Sequence, residues 1–237
     1  MVRVVVNACG RIDILHNDAG IDLPQATDVL STEVEDWERI LDVNLKAAFL
    51  CDKAALPEMA GVVDARVPIP SHNIPVRIYT PGTDPIHPVV VYYHGGGWFM
   101  GDLDTHDVVC RKLAVASSSI VVAVDYRLAP EHVFPAALDD AYAALQWVAE
   151  HAASINGDPM RIAVAGESAG ANLAAVVCIL ARDQGGPDIL FQALLCPVTN
   201  AADMNTDSYN EFAKGYFLTK EWMEAFRGYY LPDSNDW

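Results

Sequence analysis

The stretch RIAVAGESAGANLAAVVCILA, Arg161 to Ala181, joins a short apolar run to a long segment rich in Ala and Leu through five residues, Gly166-Glu167-Ser168-Ala169-Gly170. Ile162 to Ala165 reads as a buried parallel strand, because a strand covered on both faces is apolar without alternation. The segment from Ala169 to Arg182 contains no proline and reads as a helix. Between them, G-x-S-x-G fits a turn so sharp that side chains at Gly166 and Gly170 would strike neighbouring backbone. The strain of that turn holds the serine oxygen out at the end of the sheet. Ser168 is therefore the candidate nucleophile, with Gly166, Glu167 and Gly170 shaping its turn.

Upstream lies VVVYYHGGGWFMGDLDTHD, Val89 to Asp107, in which a β-branched run ends in His94-Gly95-Gly96-Gly97-Trp98. Three consecutive glycines let a chain turn its amides toward one point, as an oxyanion hole requires. A phosphate-binding loop is a poor reading of the same residues, since no G-x-G-x-x-G or Walker lysine follows and the chain is strongly acidic. An oxyanion turn followed in order by a nucleophile turn is far more specific than either alone.

From about Val67 to Trp237 the sequence resembles the hormone-sensitive-lipase-type α/β-hydrolase carboxylesterases. The residues that carry this are PVRIYTP (Pro75 to Pro81), HGGGW, GDLDTHD (Gly101 to Asp107), VDYRLAPEHVFPAALDDAYAAL (Val124 to Leu145), GESAGANLA and GYFLT (Gly215 to Thr219). The resemblance implies Ser168 as nucleophile, Gly96, Gly97 and Ala169 as amide donors to the oxyanion, and His94 and Gly95 as support for the turn. It also implies hydrolysis of short to medium acyl esters with no cofactor and no metal.

The triad of this fold runs Ser, then Asp or Glu, then His. The seven histidines are His16, His72, His87, His94, His106, His132 and His151, and all precede Ser168. The expectation is a chain lacking the family's acid and histidine segment and the last strands of its sheet, with activity impaired accordingly. Among upstream histidines, His94 matches a position that braces the oxyanion turn, His106 and His132 match positions that look structural, and His87 sits between prolines in a segment expected to be a solvated loop.

Gly10 to Met59 resembles an internal piece of a short-chain dehydrogenase. A strand IDIL leads into HNDAG, with Asp18 departing from the usual N-N-A-G, and a helix carries DVNLKAAF, in which Asn44 falls on that family's active-site asparagine. No glycine-rich dinucleotide loop precedes the strand. Tyr216 and Lys220 match Tyr-x-x-x-Lys, but Thr219 reads as an N-cap between them, so they do not share a helical face. The chain thus divides into residues 1–60, dehydrogenase-like, and 61–237, a partial α/β-hydrolase domain. Two other readings are a non-catalytic truncated or recombined chain and an NAD(P)-dependent short-chain dehydrogenase.

Length of 237 residues, 52% hydrophobic content and alternating strand and helix signals suit an α/β fold: a doubly wound, mostly parallel sheet. Strands are expected near Val76–Tyr79, Val89–Tyr93, Ile120–Asp125, Arg161–Gly166 and Phe191–Cys196. Helices are expected near Asp107–Ser117, Ala136–Ala153, Ala169–Gln184 and Lys220–Tyr230. A formal net charge of −17 disfavours nucleic acid and anionic membranes as partners. No apolar run is long enough to span a bilayer, no signal peptide is recognised, and five cysteines without CxxC spacing read as reduced thiols, which together suggest the cytoplasm. The strand Phe191–Cys196, left as a sheet edge, is a candidate surface for a homodimer.

Overall fold

The computed structural model describes residues 61–215 and 218–233. The expectations for residues 1–60, including Asp18, Asn44, His16 and the helix carrying DVNLKAAF, lie outside those residues, as does Tyr216.

Six strands form one sheet in the order β1 (Gly61–Pro68), β2 (Asn73–Thr80), β4 (Ile120–Val124), β3 (His87–Tyr93), β5 (Gly157–Glu167) and β6 (Phe191–Leu195). The last four of these are mutually parallel, whereas β2 is antiparallel to both β1 and β4. Composition tracks position. The central strands β3 and β4 read HPVVVYY and IVVAV and are buried almost throughout, as strands covered on both faces must be. At one side β1 reads GVVDARVP, with Val63, Asp64 and Arg66 exposed and Val67 buried.

Helix α1 (Asp107–Ser117) packs on β4 and β2, while α2 (Ala136–His151) and α3 (Ala169–Gln184) pack against each other over β3 and β5. Leu145, Val148, Leu173 and Val177 from the last two helices meet Val89, Val91, Ile162 and Val164 in the core. Two further helices, α4 (Asp207–Glu211) and α5 (Lys220–Tyr230), follow β6. Thr206 and Thr219 cap them by accepting from the amides of Tyr209 and Trp222, at 3.4 and 3.3 Å.

A buried carboxylate fixes the end of β4. Asp140 of α2 accepts from the Arg127 amide at 3.0 Å and from its guanidinium Nε at 2.9 Å. Removing Arg127 would take the guanidinium from that buried carboxylate and leave His72, 3.1 Å away, as its neighbour, the costly side of breaking a buried pair.

The path of the chain positions the site. After β3 the chain crosses to β4 on one side, then returns to place β5 on the other side of β3, and β6 beyond it. This reversal opens a crevice at the carboxyl ends of the strands, where ligands bind in open α/β sheets. Tyr93 stands opposite Gly166, so β3 and β5 end level and their following turns emerge side by side.

Several boundaries differ from the sequence reading. β1 had no predicted counterpart. The helix from Ala136 ends at His151 and tightens into a 3₁₀ turn over Ala152–Ile155. The last strand stops at Leu195 because Cys196 has a φ of 40°, which no strand accommodates. His87 is not a solvated loop residue. It opens β3, is 3% exposed, and its Nδ1 lies 3.2 Å from the Ser118 carbonyl. His132, expected to be structural, has an exposed ring whose contribution is its backbone amide, bonded to the Leu128 carbonyl at 2.9 Å.

Candidate active site

Ser168 stands between β5 and α3 with φ 53° and ψ −115°, outside the regions an L-residue prefers. Its surroundings enforce that conformation. A Cβ on Gly166 would come within 2.3 Å of the Gly170 carbonyl oxygen. One on Gly170 would come within 2.0 Å of the Tyr93 oxygen and 2.4 Å of the His94 oxygen. Both flanking glycines are thus required by backbone lying against backbone, and the second of them seats the start of α3 on the end of β3. Ala169, the first residue of α3, is fully buried; first-turn amides have no acceptor within their own helix.

The turn after β3 is built of trans peptide planes, in which the N–H of one residue points opposite the C=O of the residue before it. The Gly95 carbonyl lies 2.8 Å from His94 Nδ1, and since a carbonyl only accepts, Nδ1 carries the proton and donates. The Gly96 amide therefore points away from the His94 ring. The Gly96 carbonyl accepts from the Phe99 and Met100 amides at 3.1 and 3.0 Å, which directs the Gly97 amide the opposite way. Among the described residues neither Gly96 nor Gly97 donates its amide to any acceptor. Two free, pre-aimed amides in a turn with φ of 127° and 61° are the arrangement an oxyanion needs.

Turn and nucleophile segment touch. A Cβ on Gly95 would lie 3.2 Å from the Glu167 carbonyl oxygen, and the Glu167 carboxylate reaches to 3.8 Å from His106 Nε2. The His94 and His106 rings are 5.3 Å apart. Beside Ser168 opens a pocket of about 480 Å³ whose walls include Cys196, Val198, Tyr209, Leu218 and Met223. On another side Phe226 of α5 sits against Gly97, and Phe99 packs on Phe226 at 4.7 Å. Leu218 falls in the GYFLT segment, but the sequence motifs did not point to Phe226, Val198, Tyr209 or Met223, which carry no motif of their own.

Among the described residues no histidine hydrogen-bonds the Ser168 hydroxyl. His72 lies instead 3.1 Å from Asp140, and His151 bonds the Trp147 carbonyl at 2.9 Å. None of the described groups of His, Cys, Asp and Glu is arranged to hold a metal ion, and no described helix is long and apolar enough to cross a membrane.

Burial pushes the His94 imidazole down to about 4, so it is neutral at pH 7. In the unfolded chain a histidine titrates near 6.5, so as pH falls the unfolded state takes up this proton first. Stability from neutral His94 is complete above about pH 6.5 and is lost between there and about pH 4, by up to roughly 3 kcal/mol. A series of thermal melts across that window should fall more steeply for the parent chain than for His94→Asn. Parallel curves would contradict the assignment.

A protein-family model described as alpha/beta hydrolase fold matches residues 90–237, and a short chain dehydrogenase model matches residues 1–67. Carboxylesterase NlhH of Mycobacterium tuberculosis is 55% identical over 162 residues, 68% of this chain and 50% of that protein. Esterase LipI of the same organism is 51% identical over 180 residues, 75% of this chain and 56% of that one. The chain spans about half the length of these curated relatives. The solved esterase of Pyrobaculum calidifontis superposes with a TM-score of 0.74 at 40% identity, covering 88% of this chain and 68% of that chain. The serine turn at the switch point of the sheet, the glycine turn beside it and these likenesses agree: the chain belongs to the α/β-hydrolase family, and within it resembles the hormone-sensitive-lipase-type carboxylesterases.

Proposed function

We propose that this chain carries the nucleophilic half of a carboxylic ester hydrolase for short to medium acyl esters. Ser168 attacks the ester carbonyl, its hydroxyl proton passing to a general base. The tetrahedral oxyanion is held by the amides of Gly96, Gly97 and Ala169, the alcohol departs with a proton, and water clears the acyl-enzyme. The observation that carries this reading is the pair of unbonded amides at Gly96 and Gly97 in a turn lying against the Ser168 segment. His94 and Gly95 support that turn, and Gly166, Glu167 and Gly170 support the serine. The relatives named carboxylesterase and esterase support ester chemistry.

In this reading the general base and its acid partner are those of the family's acid- and histidine-bearing segment. The test is hydrolysis of p-nitrophenyl butyrate by this chain joined to the acid- and histidine-bearing C-terminal segment of a carboxylesterase relative. Turnover abolished by Ser168→Ala supports the assignment, and turnover that survives the substitution overturns it.

The division of the chain near residue 60 belongs to the same proposal, supported by the two family models; the dehydrogenase-like part supplies no chemistry to it. So does self-association. Among the described residues β6 is a sheet edge, and Leu190, Phe191 and Leu195 are 66%, 65% and 54% exposed along it. Unpaired strand edges with apolar side chains template pairing with another chain, and a charge on the edge blocks it. Light scattering at micromolar concentration should give a dimer for the parent and a monomer for Phe191→Lys. A monomeric parent would contradict the edge as an interface.

A further inference from the structure

We propose that Tyr126 is a positioning residue for acyl transfer, fixing from the loop after β4 the peptide planes that aim the Gly96 amide. The inference rests on the assignment of Ser168 and its oxyanion turn.

Tyr126 is buried to 1% exposure and meets His94 twice. Its hydroxyl donates to the His94 carbonyl at 2.6 Å, and its ring stacks on the imidazole with centroids 4.2 Å apart and planes 11° from parallel. The first contact fixes the His94–Gly95 peptide plane, whose carbonyl is confined on another side by Gly170. The second holds the imidazole in the plane from which Nδ1 donates to the Gly95 carbonyl. That bond fixes the Gly95–Gly96 plane, and with it the direction of the Gly96 amide. A single side chain thus sets two consecutive peptide planes of the turn.

The imidazole needs this support. Its Nε2 is buried without a hydrogen-bond partner, so no bond at its far side restrains rotation of the ring. On the other edge, Gly101 backs against Nδ1, where a Cβ would come within 2.5 Å. Ring stacking and the glycine contact are what hold the imidazole.

Tyr126 is itself rigidly mounted. The Asp125 amide donates to the Pro75 carbonyl of β2 at 3.0 Å, and Arg127 is bound through amide and guanidinium to Asp140. Three residues on, the Ala129 amide donates to the Trp98 carbonyl at 2.9 Å. The segment Asp125–Ala129 therefore grips the turn at both ends, at His94 and at Trp98. A tyrosine serving the core alone would need a hydroxyl partner but not these particular ones.

The test compares two isosteric losses of a buried hydroxyl in the chain joined to the acid- and histidine-bearing segment that supplies the base. Tyr126→Phe keeps the stacked ring and frees the His94 carbonyl. Tyr93→Phe frees the Ala141 carbonyl of α2, which Tyr93 reaches at 2.9 Å away from the turn. Phosphonylation of Ser168 by a fluorophosphonate should slow about tenfold in Tyr126→Phe and stay within about twofold of the parent in Tyr93→Phe, for similar losses in melting temperature. In ¹⁵N-labelled protein the Gly96 and Gly97 amide resonances should shift or broaden in Tyr126→Phe alone. Unchanged glycine resonances overturn the proposal, as do equal slowing in both variants and failure of Tyr126→Phe to fold where Tyr93→Phe folds. A joined parent that does not label at all counts against the function assigned to Ser168; the glycine resonances then decide the role of Tyr126 by themselves.

Discussion

Gly97→Val should lower kcat by about 10²- to 10³-fold while changing KM little, measured on p-nitrophenyl butyrate with the base-bearing segment joined to the chain. Gly97 has φ 61°, a conformation a β-branched residue adopts only under strain. Its Cβ would fall 2.6 Å from Cδ2 and 2.9 Å from Cγ of Phe226. That ring is half-buried against Phe99 and Trp222, at 4.7 and 5.6 Å, and its own Cβ would lie 3.3 Å away, so the clash reaches the root of the side chain, where rotation relieves least. The turn must move instead, carrying the amide away from where the oxyanion forms. Because that amide acts on charge that develops in the transition state, the loss appears in kcat. Gly96 is stricter still, since its Cβ would come within 2.1 Å of the Met100 carbonyl oxygen, which is backbone. An effect confined to KM would contradict the assignment of these amides.

The largest expected effect comes from supplying the base. Among the described residues no histidine lies in hydrogen-bond reach of Ser168; without one the hydroxyl remains a protonated alcohol and a weak nucleophile, and loss of one triad member removes on the order of 10⁴-fold or more of the rate even with the oxyanion hole intact. The chain by itself should therefore hydrolyse p-nitrophenyl butyrate near background, and joining the acid- and histidine-bearing segment should raise the rate by that order. If the unextended chain already turns over at a rate typical of an enzyme and loses it on Ser168→Ala, an upstream histidine is the base. His94 is poorly placed for that, because its Nδ1 is committed to the Gly95 carbonyl and its ring is buried beneath the turn. His106, beside Glu167, would then be the residue to substitute first.

What the sequence revealed follows from where the constraints are local. The serine turn was legible because backbone crowding at Gly166 and Gly170 leaves a pattern within five residues, and the glycine turn because positive φ at Gly96 and Gly97 does the same. The buried strands β3 and β4 were legible as unbroken β-branched runs. Elements fixed by tertiary contact were not. Among the described residues β1, GVVDARVP, is an edge strand with no apolar run of its own, and its pairing with β2 is what makes it a strand. The burial of His87 depends on Ser118 and on the Asn156 carbonyl that accepts its amide, neither of them near in sequence. Phe226 reaches Gly97 only because α5 folds back over the turn, and Tyr126 reaches His94 only through the parallel pairing of β4 with β3.

The measurement that bears most directly on the central claim is the site of covalent capture. The chain, joined to the acid- and histidine-bearing segment that supplies the base, is treated with a fluorophosphonate, and the adduct is located by fragmentation of the peptides. The phosphonyl group is expected on Ser168, absent from Ser168→Ala, and formed more slowly when p-nitrophenyl butyrate competes for the pocket lined by Cys196 and Met223. An adduct on another serine, or none on the joined chain once its thermal melt shows it folded, would contradict the account of Ser168 as an acyl-transfer nucleophile.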